Sequence, residues 1–541
     1  MKGVGVRRSV LLTFAAALVA AAGGASQGIP AAASPRAAVN RTPVPFDAVA
    51  FRRQHGYLPL RGVATLVRAK AHAAAEAAAM HHQGSTQAGR PLRTRAGGPK
   101  VGASWEGPLG PTPPDANGAV GPNSYIEITN GPVTIYTRTG EQIATAPLVT
   151  LTGNLSGGDP MIIWDPDTQR FYYSTIGPGS TIDWGFSKDD NPTTIPDSFC
   201  RYDTSFGFPT GSIPDYPKLG QTKGFLMIGI NFYPAGSQVA TEADLLWTGK
   251  PQGSGPITTC PDASTFKSGI FHDLRNQDGS QAFTPVPAIQ TDPSAAGYVM
   301  AMSDIECPPT CGEGTLLTTY TLKPKKHDPT VPKLSIPRSL TVGSYQSPPD
   351  APQKDTDRLL DTLDGRITHA VSGIDPAVGR TTVWVSHCVL GGAGAEVRWY
   401  EVRPGKKASV LQSGAATDPS LYVFNGGISN DRTVNEALQT AHGDAMVLGF
   451  NTSSSSTYVA VQMISKRGSK PQSGFVMVHQ STGPFAPVGS CGLLGCRWGD
   501  YSGATPDPAA DVSAIHGEVW STNEFTDGDS HRPTWNWEAM P

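Results

Sequence analysis

The stretch Pro113-Pro114-Asp115-Ala116-Asn117-Gly118-Ala119-Val120-Gly121-Pro122-Asn123 sets a pattern that the rest of the chain repeats. A Pro/Asp corner leads into a short β-forming run, Tyr125-Ile126-Glu127-Ile128, and a Gly-Pro turn returns it as Val133-Thr134-Ile135-Tyr136. Proline presets φ, and Asp, Asn and Gly accept tight turn backbone, so such corners punctuate strands. Comparable corners stand at Gly158-Asp159-Pro160, Pro214-Asp215-Tyr216-Pro217, Pro285-Val286-Pro287, Asp364-Gly365-Arg366, Asn435-Glu436-Ala437 and Gly499-Asp500-Tyr501. Units of roughly 40 to 80 residues that are rich in β-formers have the period of a β-propeller. The expected fold is all-β: a single β-propeller with seven blades, six being the rival count. Strands alternating with long amphipathic helices would have argued for a parallel α/β fold, and that alternation is absent.

Composition sets the boundaries. The chain has 541 residues, 38% hydrophobic and 16% charged, and its 61 glycines and 48 prolines suit a turn-dense β architecture. Lys2, Arg7 and Arg8 precede an apolar run from Val10 to Ala22 and small residues through Ala25. Residues 1–25 therefore read as an export signal peptide, with Arg7-Arg8-Ser9-Val10-Leu11 similar to a twin-arginine signal. Residues 1–100 hold 14 Lys/Arg against two acids, whereas residues 101–541 hold 28 against 43, a net charge of −15. This break places a basic Ala/Arg/Pro-rich propeptide or linker at 26–100, with one helical stretch from Val63 to Met80, and the propeller at 101–541. An acidic body is a poor partner for nucleic acid, and no segment after the signal is apolar enough to anchor in a membrane. The expected product is secreted, extracellular or envelope-associated, and monomeric. Its seven cysteines suggest disulfides, with Cys307/Cys311, Cys491/Cys496 and Cys200/Cys260 as plausible pairs and Cys388 as the odd, buried thiol.

Blade-starting corners converge on a propeller's axis, so Asp115, Asp159, Asp215 and Asp500 are expected near one rim of the central channel. Carboxylates crowded there would hold a hard cation, for which Ca2+ is the candidate, or raise a pKa enough to make a general acid. The competing reading is that each acid accepts backbone N–H bonds and fixes its turn. Glycoside hydrolysis needs two carboxyl groups, and Asp215 or Asp500 with Glu524 is the candidate catalytic pair. His387, Glu396, Arg398, Glu401 and His442 are further acid/base candidates. Trp164, Trp498 and Trp520 are candidate platforms for stacking on sugar rings, with core packing between sheets as the alternative. The chain has no Gly-x-Ser-x-Gly elbow, His-Glu-x-x-His motif or phosphate loop.

The Pro113–Asn123 stretch, Gly158-Asp159-Pro160 with Trp164-Asp165-Pro166, Asp215-Tyr216-Pro217-Lys218-Leu219-Gly220, and Arg497-Trp498-Gly499-Asp500-Tyr501-Ser502 with Asp507-Pro508, Trp520 and Asn523-Glu524 together resemble secreted bacterial β-propeller proteins of the sialidase-like (BNR-like) superfamily. The resemblance spans most of residues 105–530. It implies the propeller fold and no particular activity, since the Ser-x-Asp-x-Gly-x-Thr-Trp box of sialidases is missing from every unit. The function expected from the sequence is binding of an extracellular polysaccharide or protein at the channel mouth. The alternative is a glycoside hydrolase using the Asp/Glu pair.

Overall fold

A computed structural model describes residues 58–84, 98–154, 158–305, 312–434, 442–487, 491–492, 494–508, 517–528 and 532–541. Residues 1–25, read above as a signal peptide, much of the stretch 26–100, the corner at Asn435-Glu436-Ala437 and the Cys307/Cys311 pair lie outside these residues.

The count of blades is seven. Six start on their innermost strand, Asn117–Val120, Gly158–Asp165, Ile213–Gln221, Ala282–Pro287, Ile367–Asp375 and Tyr422–Asn430 for blades 1 to 6, and continue through antiparallel neighbours; in blade 5 the short Ile289–Gln290, which precedes the second strand of blade 4, also pairs in parallel with Ile367–Asp375. In blade 4, Pro332–Leu334 and Arg338–Tyr345 both pair with the third strand, Gly314–Pro324. Blade 7 is built from both ends of the ring: Gly503–Pro506, Val519–Glu524 and Pro533–Met540 are completed by Lys100–Leu109, which pairs with Pro533–Met540. The sixth corner is misplaced in the sequence reading, because the inner strand of blade 6 ends at Asn430, before Asn435.

Four inner strands share one irregularity, which explains what the corners do. Asp159, Tyr216, Thr284 and Asn425 all have positive φ, from +42° to +58°. Each sits where the register against the second strand shifts, between Gly158/Met161, Asp215/Lys218, Phe283/Val286 and Phe424/Gly427. A bulge of this kind bends the strand and re-aims its side chains. Asp and Asn tolerate the left-handed region, whereas Tyr and Thr pay strain for it, so surrounding contacts must hold Tyr216 and Thr284 there. Successive inner strands also approach closely. A Cβ on Gly503 would lie 2.6 Å from the Gly118 nitrogen, so blade 7 can meet blade 1 only with glycine at that position.

Apolar residues of facing sheets fill the spaces between blades, and Trp184, Trp384, Trp399, Trp498, Trp520 and Trp537 are all fully buried there. Cys200 and Cys260 form a disulfide, as do Cys491 and Cys496, and Cys388 is free and buried. Among the described residues, no helix is long and apolar enough to cross a membrane.

The N-terminal segment packs on the propeller. Leu58 and Leu60 are buried among residues of blades 3 to 5, and the Leu60 carbonyl accepts from Ala240 N–H at 3.0 Å. Helix α1, Val63–Gly84, follows. Its Leu66 sits against Leu363 and Leu494, and its buried Lys70 donates to both Asp350 and Asp361.

Candidate functional site

All inner strands run in one direction, so their first residues gather at one end of the axis. Asp115, Asp159 and Asp500 meet there around Lys218, which lies three residues after Asp215 on the far side of the bulge in blade 3. The Asp115 Oδ1 accepts from Asp500 N–H at 2.8 Å, and its Oδ2 accepts from Asn130 Nδ2 at 2.5 Å. Tyr501 hydroxyl lies 3.2 Å from both Asp159 Oδ2 and the Pro217 carbonyl. Lys218 Nζ lies 3.3 Å from the centre of the Tyr501 ring, 4.1 Å from that of Tyr216, and 3.4 Å from the Asp500 carbonyl. Burial pushes Asp115 and Asp500 above the usual carboxylate range, and the neighbouring acids push further: Asp159 on Asp115, and Asp115 then Asp159 on Asp500. Burial also drives Lys218 well below its ordinary range, against the pull of Asp159, Asp500 and Asp115.

Lys218 stands among Asp115, Asp159 and Asp500, and Arg497 acts on Asp115 and Arg366 on Asp500 as well. Asp215 is engaged elsewhere, accepting from Leu58 N–H at 3.0 Å. Calcium requires six to eight oxygen ligands, and these four carboxyl groups do not form a common ligand set: the groups of three or more whose ligand atoms lie within 4.8 Å of one another, among the described residues, are elsewhere.

The residues of the expected catalytic pair are all buried. Asp215, Asp500 and Glu524 are 0%, 4% and 0% exposed. Glu524 accepts from Ala116 N–H at 3.4 Å and from Asn425 Nδ2. Burial raises it to about 8 against the opposing pull of Arg532, with Asp115 adding to the rise. A Cβ on Gly499 would lie 2.3 Å from its Oε1, which explains the glycine in Gly499-Asp500. Asp500 and Glu524 are thus buried, and Glu524 is bonded to groups of the propeller interior.

The proposed stacking platforms are core residues. Trp498 and Trp520 are each 1% exposed and donate to Asn451 Oδ1 at 3.1 Å and to Asp507 Oδ2 at 2.8 Å. Trp164, 7% exposed, packs edge-on against Phe171 and touches a cleft of only about 20 Å³ at the opposite end of the inner strands, with Gln290, Thr505 and Pro508. His387, Glu396, Arg398 and Glu401 are likewise internally engaged: His387 with the Gly365 carbonyl and Tyr400 hydroxyl, Glu396 with Arg398, and Glu401 with Gln412.

Sequence reasoning missed the cations. Arg366 forms two bonds to Asp364, at 2.8 and 2.6 Å, lies 4.4 Å over the Tyr216 ring and donates to the Leu58 carbonyl. Tyr233 hydroxyl donates to the same carbonyl at 2.7 Å. Lys218, Arg366 and Tyr501 all stand in the quoted corners, one to three residues from an acid. That proximity was the available signal.

Open volume lies on the outer surface. A cleft of about 470 Å³ is lined by Lys323, Lys333, Ile336, Arg338 and Lys406, where blade 4 meets a turn of blade 5. Lys323 and Lys333 are directly opposed across two strands, and Ile336 is 68% exposed. None of these four cations is in an ion pair among the described residues.

No family model matches the sequence, and no curated protein does. Among solved structures, AofleA from Arthrobotrys oligospora is similar over 72% of this chain and 93% of its own, at 8% identity and a TM-score of 0.34. A GH43_12 retrieved from capybara gut metagenome is similar over 84% and 96%, at 10% identity and a TM-score of 0.24. Likenesses this distant bear on neither substrate nor site.

Proposed function

We propose that the protein is an exported binding propeller that holds an acidic extracellular polysaccharide in the cleft between blades 4 and 5 without cleaving it. The opposed pair Lys323 and Lys333 carries this reading. Like charges facing each other across a sheet destabilise it, and here they sit unpaired in an open cleft with Arg338 and Lys406, on a body of net charge −15. A polyanion running through the cleft would relieve the repulsion and meet the exposed face of Ile336. The burial of Asp500 and Glu524 supports binding over hydrolysis.

The test is retention of the full-length protein on immobilised polyuronate against a neutral glucan, with reducing ends assayed in parallel. Retention on polyuronate should weaken with salt, fall at least about tenfold in Lys323→Ala/Lys333→Ala/Lys406→Ala, and occur with no release of reducing ends. Equal retention of that variant would assign the affinity to the basic arm and overturn the cleft. Capture of a protein ligand with no polysaccharide retained would favour a protein partner. Release of reducing ends that is lost in Glu524→Gln would restore the hydrolase reading.

A further inference from the structure

The third and fourth strands of blade 3 bring together three ligand-type side chains that neither the axial knot nor the basic cleft uses. Glu242 opens the strand Glu242–Gly249, Asp244 follows two residues later, and His272 comes directly after the outer strand Ser268–Phe271. Residues two apart on a strand share a face. Leu245 pairs with Phe271, so one step further along the ladder sets His272 beside Asp244. The His272 Nδ1 is 3.1 Å from Glu242 Oε2 and 3.3 Å from Asp244 Oδ2. All three ligand atoms lie within 4.8 Å of one another.

A single ring N–H has one direction and cannot donate well to two carboxylates at once. A tetrahedral cation can satisfy all three groups. With metal–ligand bonds of about 2.0–2.1 Å, the ligand atoms of a tetrahedral zinc site stand ~3.3 Å apart, which is the spacing seen from His272 to each acid. The ligands are also pre-oriented. Asp244 has a 1% exposed side chain, and its other oxygen is fixed by Asp273 N–H at 2.9 Å, an outer contact of the kind that holds a metal ligand in place. His272 and Glu242 have side chains 60% and 35% exposed, which leaves the fourth position open to solvent.

We infer that Glu242, Asp244 and His272 form a divalent-cation site of the zinc class, which pins the short outer strand of blade 3 to its neighbour and keeps one coordination position for water or an incoming anionic group. The site is independent of the polysaccharide cleft.

The experiment uses the full-length protein stripped with EDTA and dialysed against zinc chloride, with Co2+ substituted in parallel so that its absorption reports a four-coordinate N/O site. The expected result is one zinc bound per chain at micromolar concentration, with affinity at least about tenfold weaker in His272→Ala and in Glu242→Gln. Because His272 is largely exposed, its variant should unfold at the wild-type midpoint in EDTA. Zinc binding that survives both substitutions, or that disappears when His72, His81 and His82 of the N-terminal segment are changed to alanine, would overturn the site. So would the absence of stoichiometric binding.

Discussion

At the scale of single residues, burial decides what a carboxyl group is for. Glu127 is fully buried where blade 1 meets blade 7, and it accepts from Thr534 Oγ1 and from Asn536 Nδ2 at 2.6 Å. Both bonds favour the ionised form, yet burial outweighs them and raises its pKa from 4.5 to about 7. A carboxyl whose pKa is higher in the folded state takes up a proton on folding. Its contribution is therefore complete below about pH 4.5 and is lost as pH rises through 7. The difference corresponds to about 3 kcal/mol. Glu127→Gln cannot titrate, so urea titrations at pH 4.5 and pH 8 should show the wild type losing about 3 kcal/mol more stability than the variant over that interval. Parallel stability curves would count against this account.

At the scale of elements, the N-terminal helix shows how a buried ion pair can dock a segment that has little core of its own. Helix α1 is largely alanine and presents few large apolar groups. An isolated helix of this length is marginal in water. Its tether is Lys70, between Asp350 and Asp361, whose attraction holds the ammonium above its ordinary range against the opposing effect of burial. In Lys70→Ala the two acids would face each other with no cation between them, a change that costs about 3–5 kcal/mol in a buried pair. Hydrogen exchange should then show the amides of residues 63–84 losing protection while those of the inner strands Gly158–Asp165 and Ile367–Asp375 keep theirs. Unchanged protection of the helix would show that Leu58, Leu60 and Leu66 dock the segment without the lysine.

At the scale of the whole molecule, the axis is held by polar contacts between blades far apart in sequence. Lys218 of blade 3 reaches the corner of blade 7 at Asp500 and Tyr501. Asp500 in turn donates to Asp115 before blade 1, and Tyr501 donates to Asp159 at blade 2. Removing Lys218 should weaken the ring as a unit. Lys218→Met is expected to lower global stability by about 3 kcal/mol or more, read as a shift in the denaturant midpoint with the transition still single. A loss below about 1 kcal/mol would mean that the acids are already neutral and that the aromatic rings alone hold the lysine.

The class of fold and the approximate number of blades are legible in the sequence, because corner residues act locally: Pro, Gly, Asp and Asn impose their backbone preferences wherever they stand. Five of the seven corners lie at or just before the start of an inner strand, and Pro285-Val286-Pro287 closes the inner strand Ala282–Pro287. The sixth was misplaced: the inner strand of blade 6 starts at Tyr422, just after Asp418-Pro419, and Asn435-Glu436-Ala437 falls beyond its end at Asn430. The burial of Cys388 as a free thiol was legible for the same local reason, since it lies in an apolar strand. Which acids meet, and what they meet, was decided only by the tertiary structure. Asp215 and Asp500 look alike in sequence, yet one holds the Leu58 amide and the other neighbours Lys218. Nothing local distinguishes them, because partners 282 and 385 residues apart are set by ring closure. The same holds for Trp164, Trp498 and Trp520. Composition supplies the aromatic rings, but only the packing of one blade on the next determines that they face inward, and the open, charged surface is left instead to Lys323 and Lys333.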